Sequence, residues 1–240
     1  MLLILVFLCV SCGVSGGNAD SYFNSGFDND SKGQDDLAIE NYSKAIEIDP
    51  KYIDAYYNRG NVYLSQRQYD LAIRDYSKAI EIDPKYVDAY YNRGKVYLSQ
   101  RQYDLAIRDY NKTIEIDPKS VDAYGNRGNA YFSQGKYDLA IADFNKVIEI
   151  DPQDALAYYN LGRVHATTGQ SELAIADYNK AIELDPKRVV LYFNKATVCE
   201  KIGDKSEAIK AYTLFLRYAS NPNPDIEKAK SRIKALGGTI

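Results

Sequence analysis

Between Ile53 and Tyr86 the apolar residues recur at helical spacing. Tyr56, Tyr63 and Leu64 mark one segment, and Leu71, Ala72, Tyr76, Ala79 and Ile80 mark the next. The pattern predicts two helices, over 54–66 and 70–82. Asp83-Pro84-Lys85-Tyr86 then reads as a type I turn, with aspartate at the first place and proline, its φ already fixed, at the second. Asp88 falls in the first turn of the following helix, where a negative charge suits the macrodipole.

This hairpin is copied along the chain. Val87–Ser120 repeats Ile53–Tyr86 with five changes: Ile53/Val87, Asn61/Lys95, Ser77/Asn111, Ala79/Thr113 and Tyr86/Ser120. Looser copies give six tandem units: 19–52, 53–86, 87–120, 121–154, 155–188 and 189–222. Prolines 50, 84, 118, 152, 186 and 222 hold one place, so each unit ends at a proline. A fixed period of this length predicts a stacked array in which each hairpin buries its apolar side against its neighbours, with no single core required.

Within a unit, Gly60 and Ala72 and their counterparts Gly94/Ala106, Gly128/Ala140 and Gly162/Ala174 read as packing residues that let two helices approach, while Tyr63 and Tyr76 fill the space around them. Gly33, Gly135, Gly169 and Gly203 suit a left-handed cap between the helices; Arg67 and Arg101 stand there in the second and third units. The first unit replaces the apolar end of its first helix with Phe27-Asp28-Asn29-Asp30-Ser31, a segment expected to fray. In the sixth, Ala196, Cys199 and Phe215 replace Gly, Tyr and Ala, and residues 223–240 form a capping helix and tail. That helix has Ile226, Ala229, Ile233 and Leu236 on one face, and Gly237-Gly238 stops it.

Tyr56, Gly60, Tyr63, Ala72, Tyr76, Ala79 and Pro84 stand where the tetratricopeptide repeat (TPR) family places its bulky, small and helix-ending residues, and the chain resembles that family over most of its length. The resemblance implies an all-α solenoid of six hairpins plus a C-terminal capping helix, with the first helices lining a concave face. It also implies a protein-binding scaffold, not an enzyme, holding an extended peptide in the groove. Asn24, Asn58, Asn92, Asn126, Asn160 and Asn194 share one place in the first helix and resemble the asparagine ladder of some TPR proteins. An amide offers one acceptor and two donors, so it can bridge a peptide backbone whatever its sequence. Beside the column stand Phe23, Tyr57, Tyr91, Tyr159 and Phe193, and the next row is Asn61, Lys95, Asn129 and Arg163. TPR co-chaperones that hold an acidic C-terminus place Lys or Arg where this chain has Tyr57, Tyr91, Asp88 or Asp122, so a carboxylate terminus is not the expected ligand.

Composition narrows the partner class. Thirty Lys+Arg against 33 Asp+Glu, interleaved, leave no dense basic stripe for nucleic acid. No phosphate loop, GxSxG, HExxH or EF-hand pattern occurs, so neither a cofactor, a metal nor a small-molecule substrate is expected. The carboxylates read as turn aspartates and surface charges. His165, the only histidine, takes the place of Tyr63, Tyr97 and Tyr131 and is expected to face the hairpin interior; Cys199 one unit on reads as a buried small hydrophobe.

Residues 1–18 read as an export leader and flexible tether: an apolar run too short to cross a bilayer, with no basic residue before Lys32. Cleavage could follow Ala19 or precede Cys12, where Val10-Ser11-Cys12-Gly13 resembles a bacterial lipoprotein box and makes Cys12 a lipidation candidate. The expected location is periplasmic or membrane-anchored through that lipid, and cytoplasmic if the leader is spurious. A structural subunit of an oligomeric envelope or secretion assembly, or an accessory adaptor for an envelope enzyme, is the alternative reading.

Overall fold

The computed structural model describes residues 18–220 and 222–239. Residues 1–17 of the leader, with Cys12 and the cut before it, lie outside the described residues, whereas the alternative cut after Ala19 falls within the first turn of the first helix. The described residues hold thirteen α-helices and no strand, an all-α solenoid of helical hairpins closed by a C-terminal helix. The chain divides into two compact units, Met1–Ala89 and Tyr90–Ile240.

The first unit contains α1 (Ala19–Ser31), α2 (Asp35–Ile48), α3 (Ile53–Ser65), α4 (Tyr69–Ile82) and the first residues of α5 (Val87–Ser99). Helix α1 packs on α2, α2 on α3 and α3 on α4. The core gathers Ala38, Tyr42, Ala45, Ala55 and Val62, with Tyr22, Phe23 and Tyr52 against them. The end of α1 is helical and does not fray as expected: the Gly33 and Gln34 N–H groups donate to the Asp30 and Asn29 carbonyls, and Ser31 Oγ donates to the Asp28 carbonyl. Those bonds satisfy the orphan carbonyls that would otherwise open the last turn.

The second unit holds the rest of α5, then α6 (Tyr103–Ile116), α7 (Val121–Ser133), α8 (Tyr137–Ile150), α9 (Ala155–Thr167), α10 (Ser171–Leu184), α11 (Val189–Lys201), α12 (Lys205–Tyr218) and α13 (Asp225–Ala235). From α6 onward each helix packs on its successor. Apolar burial falls into successive clusters, around Tyr110, Phe144, Tyr178 and Phe215, as a solenoid built from neighbour interfaces requires. At the end, Ala229 and Ile233 of α13 are buried against Tyr212 and Phe215, with Ile226 and Leu236 alongside. Arg232 Nε and the Tyr212 hydroxyl both donate to Glu200 Oε2, which ties the cap to α11 and α12.

Two local devices set the hairpin geometry. At Asp83-Pro84, the Tyr86 N–H donates to the Asp83 carbonyl at 3.1 Å and the Lys85 N–H to Asp83 Oδ1 at 2.8 Å, a side-chain-reinforced turn that recurs at Asp49, Asp117, Asp151 and Asp185. Within a hairpin the helix ends in a Schellman motif: Gln68 N–H reaches the Tyr63 carbonyl and Arg67 N–H the Leu64 carbonyl. The pivot residue is left-handed whatever its type, at φ +73° for Gly135 and +58° and +59° for Arg67 and Arg101. The two arginines therefore hold strain of about 1–2 kcal/mol each that glycine avoids.

In the hairpins that carry it, the glycine of the first helix makes room for a buried ring. A Cβ on Gly60 would lie 2.8 Å from the Tyr76 ring, and one on Gly128 would lie 2.7 Å from Phe144. The small residue lets a buried ring lie flat across the partner helix.

Candidate functional site

In the first unit, α3 carries Tyr57, Asn58 and Asn61. The Tyr57 ring lies 6.0 Å from Tyr76 and edge-on to Tyr86 at 5.4 Å. The Tyr86 hydroxyl donates to Asp54 Oδ1 at 3.0 Å; burial first, then that bond, push its phenol pKa up, which keeps it a neutral donor. Asn58 Nδ2 donates to the Asp54 backbone carbonyl at 2.8 Å, and Asn61 Oδ1 accepts from the Tyr76 hydroxyl at 2.8 Å. Both amides thus spend one end inside their own hairpin.

In the second unit the predicted residues are Tyr91, Asn92 and Lys95 on α5, Asn126 and Asn129 on α7, Tyr159, Asn160 and Arg163 on α9, and Asn194 on α11. One link recurs. Asn126 Nδ2 donates to the Tyr91 hydroxyl at 3.1 Å, and Asn194 Nδ2 to the Tyr159 hydroxyl at 3.3 Å, each reaching back to the first helix of the preceding hairpin. Ring and amide therefore pair twice along the first helices, with the Oδ1 atoms of Asn126 and Asn194 accepting nothing among the described residues. The Lys95 ammonium stands 5.4 Å over the Tyr91 ring, and the Arg163 guanidinium 4.6 Å over Phe132 and 5.6 Å over Tyr159.

Two members of the expected surface are placed differently. Asn160 is only 4% exposed, with its Oδ1 accepting from Arg163 Nη1 at 3.1 Å. Phe193 is 7% exposed, sealed in the core that α13 completes, with Lys228 over its ring. The capping helix takes the seat a further repeat would fill, and it closes this end of the row.

A cavity of about 70 Å³ opens on α7 at Gly125. Phe144 and Val147 form its floor, Val121 and Leu156 its walls, and Asn126 and Asn129 its polar rim. The side-chain amide of Asn129 has no partner among the described residues.

The structure also holds polar groups that the sequence pattern did not reveal. Asp75, Asp109 and Asp143 are not surface charges: each is buried in the middle of a second helix and clasped by an arginine sixteen residues earlier. Arg59 Nε and Nη2 donate to the two Asp75 oxygens at 2.6 and 2.9 Å, a bidentate pair repeated by Arg93 with Asp109 and Arg127 with Asp143. Arg59 Nη1 also reaches Ser43 Oγ, and Arg127 Nη1 reaches Asn111 Oδ1, so these two guanidinium groups each join their own hairpin to the one before. Tyrosines stand three residues before and four after each arginine, within 6.0 Å of the guanidinium. Their signal was the 34-residue spacing of Arg59, Arg93 and Arg127.

The fifth repeat explains His165. Leu161 stands where the arginine would, and Asp177 is retained. The histidine that replaces the flanking tyrosine supplies the missing partner, Nδ1 lying 2.7 Å from Asp177 Oδ2. Burial pushes the Asp177 carboxyl above the usual range, and the histidine only partly offsets this. In the sixth repeat Lys195 takes the arginine place and pairs with Glu207, whose pKa it holds down.

Family models described as TPR repeat match residues 31–67, 60–101 and 128–169. Tetratricopeptide repeat models match 87–120, 155–188, 109–142 and 177–210, so the matches run without a gap from residue 31 to residue 210. No curated protein matches the chain. Among solved structures, a crystal structure of MamA protein superimposes with a TM-score of 0.67 at 28% identity, over 71% of this chain and 93% of that one. YrrB, described as a TPR protein with an unusual peptide-binding site, gives a TM-score of 0.66 at 22% identity, covering 80% and 97%. PilW, described as a widely conserved type IV pilus biogenesis factor, gives 0.74 at 18% identity, covering 88% and 97%.

Proposed function

The chain belongs to the tetratricopeptide repeat family, and from that premise we propose that it holds an extended segment of a partner protein along its first helices. TPR proteins are in general non-enzymatic scaffolds for protein–protein interaction, and the coarse function of this chain is that one. The row of amides and rings in the second unit carries the finer reading. Asn126 and Asn194 are fixed by their Nδ2 bonds to Tyr91 and Tyr159, which leaves oriented carbonyl oxygens to accept peptide N–H groups. The Tyr91 and Tyr159 rings beside them offer flat surface at small entropic cost. YrrB, of the same fold, is described as having a peptide-binding site.

Asn92→Ala combined with Asn126→Ala tests the groove. The pair is expected to weaken partner capture at least tenfold while lowering stability by about 1–3 kcal/mol, the worth of the internal bonds that the two amides lose. Capture equal to wild type would remove these amides from the contact surface.

The leader pattern supports a place on the bacterial envelope, with Cys12 lipidated, and no described helix is long and apolar enough to cross a membrane. A radiolabelled fatty acid is expected to mark the wild type and not Cys12→Ser. An unmarked wild type would rule out the anchor.

A further inference from the structure

In five of the six hairpins an aromatic side chain on the first helix packs on the buried ring of the second. The pairs are Phe23–Tyr42, Tyr57–Tyr76, Tyr91–Tyr110, Tyr159–Tyr178 and Phe193–Tyr212, with centroids 5.5–6.2 Å apart. The fourth hairpin has the buried ring, Phe144, but Gly125 in place of its mate. A Cβ at Gly125 would meet nothing within 4 Å, and the cavity over Phe144 and Val147 opens there. A second residue is left without its mate. Thirty-five residues after Tyr91 and Tyr159 stand the asparagines that donate to their hydroxyls. Thirty-five after Gly125 stands Asn160, nine-tenths buried, whose Nδ2 has no acceptor among the described residues.

We propose that the Gly125 cavity is a socket for a tyrosine side chain of the bound partner, which supplies the ring and hydroxyl that this hairpin lacks. The inference rests on the groove reading and adds to it a named anchor. The chain's own pairs give the expected pose: a ring tilted over Phe144 at about 6 Å, as Tyr91 lies on Tyr110, with the phenol oxygen accepting from Asn160. A donor on a residue only 4% exposed, with no acceptor of its own, discriminates between a ligand that carries the hydroxyl and one that does not. The rim adds the Asn129 amide and the Asp122 carboxylate, which suit the backbone on either side of the inserted residue.

The test uses p-cresol, the tyrosine side chain alone, added to the full chain with 15N-resolved amide spectra as readout. In the wild type, saturable shifts are expected at Gly125, Asn126 and Asn160, with contacts from cresol ring protons to the Val147 methyl groups. Toluene, which lacks the hydroxyl, is expected to bind about tenfold more weakly, and Asn160→Ala to erase that difference. Gly125→Tyr fills the socket with the chain's own ring: it is expected to melt higher than wild type and to lose the cresol shifts. Shifts that persist in Gly125→Tyr, or a wild type with none near Gly125, would overturn the socket. The Val147 contacts decide the matter in the wild type even if Gly125→Tyr does not fold. Peptide capture that survives in Gly125→Tyr but falls in the Asn92→Ala, Asn126→Ala pair keeps the groove and rejects the socket. Cresol bound at Gly125 with no peptide capture keeps the socket and rejects the groove.

Discussion

Replacing Arg59 with methionine is expected to destabilise the first unit by about 3–5 kcal/mol, the loss typical when one partner of a buried ion pair is removed. Asp75 is 1% exposed and takes both its strong hydrogen bonds from Arg59. Methionine fills the hydrocarbon volume between Tyr56 and Tyr63 but offers the carboxylate no donor, and the exposed Arg74, 3.7 Å away, is a weak substitute, so the cost is mostly that of a poorly paired buried charge. The matching control is Arg59→Met with Asp75→Leu. Removing both charges in favour of apolar groups is expected to return the protein to near wild-type stability or above it, since desolvating a pair offsets much of its attraction. Urea denaturation followed by circular dichroism separates the cases. A single variant that loses under about 1 kcal/mol would mean that water reaches Asp75 and that the pair behaves as a surface bridge.

Phe144→Ala is the second large effect, expected at about 3–5 kcal/mol for a fully buried ring. Gly128 makes this a test of packing and of hydrophobicity together. Its Cβ would stand 2.7 Å from the Phe144 ring, so Gly128→Leu alone is expected to overpack the hairpin by about 1–3 kcal/mol. In the double variant the leucine enters the space the phenylalanine leaves. The combined loss should therefore fall well short of the sum of the singles, a coupling that distant sites do not show. Strict additivity would mean that the glycine is present for some reason other than the ring.

The parts of this fold that were legible in the sequence are those that depend on local chemistry. The Asp-Pro turns, the left-handed glycines and the small residues under Tyr76 and Phe144 each follow from a steric or hydrogen-bonding rule within a few residues, and the structure has them where the period put them. What escaped depends on partners far apart in sequence. Asp75 reads as a polar residue on a helix until Arg59, sixteen residues earlier on another helix, is brought against it. His165 reads only as an interior replacement for tyrosine, because its partner Asp177 lies on the next helix. At the α1 terminus composition predicts fraying, whereas the Schellman bonds at Gly33 that close the last turn are made by the backbone. The site lay between these cases. Spacing alone put the amides in one row, but the bonds of Asn126 and Asn194 to the preceding tyrosines, and the burial of Asn160, belong to the packed hairpins.

The central claim is that the first helices keep a face for a partner while the second helices do not. The most direct test is photo-crosslinking in cells from a benzoylphenylalanine placed at Lys95, exposed on α5, compared with one at Arg108, exposed on α6. A discrete higher-mass adduct from position 95 and none from position 108 is the predicted result. Adducts from position 108 alone, or equally from both, would contradict it.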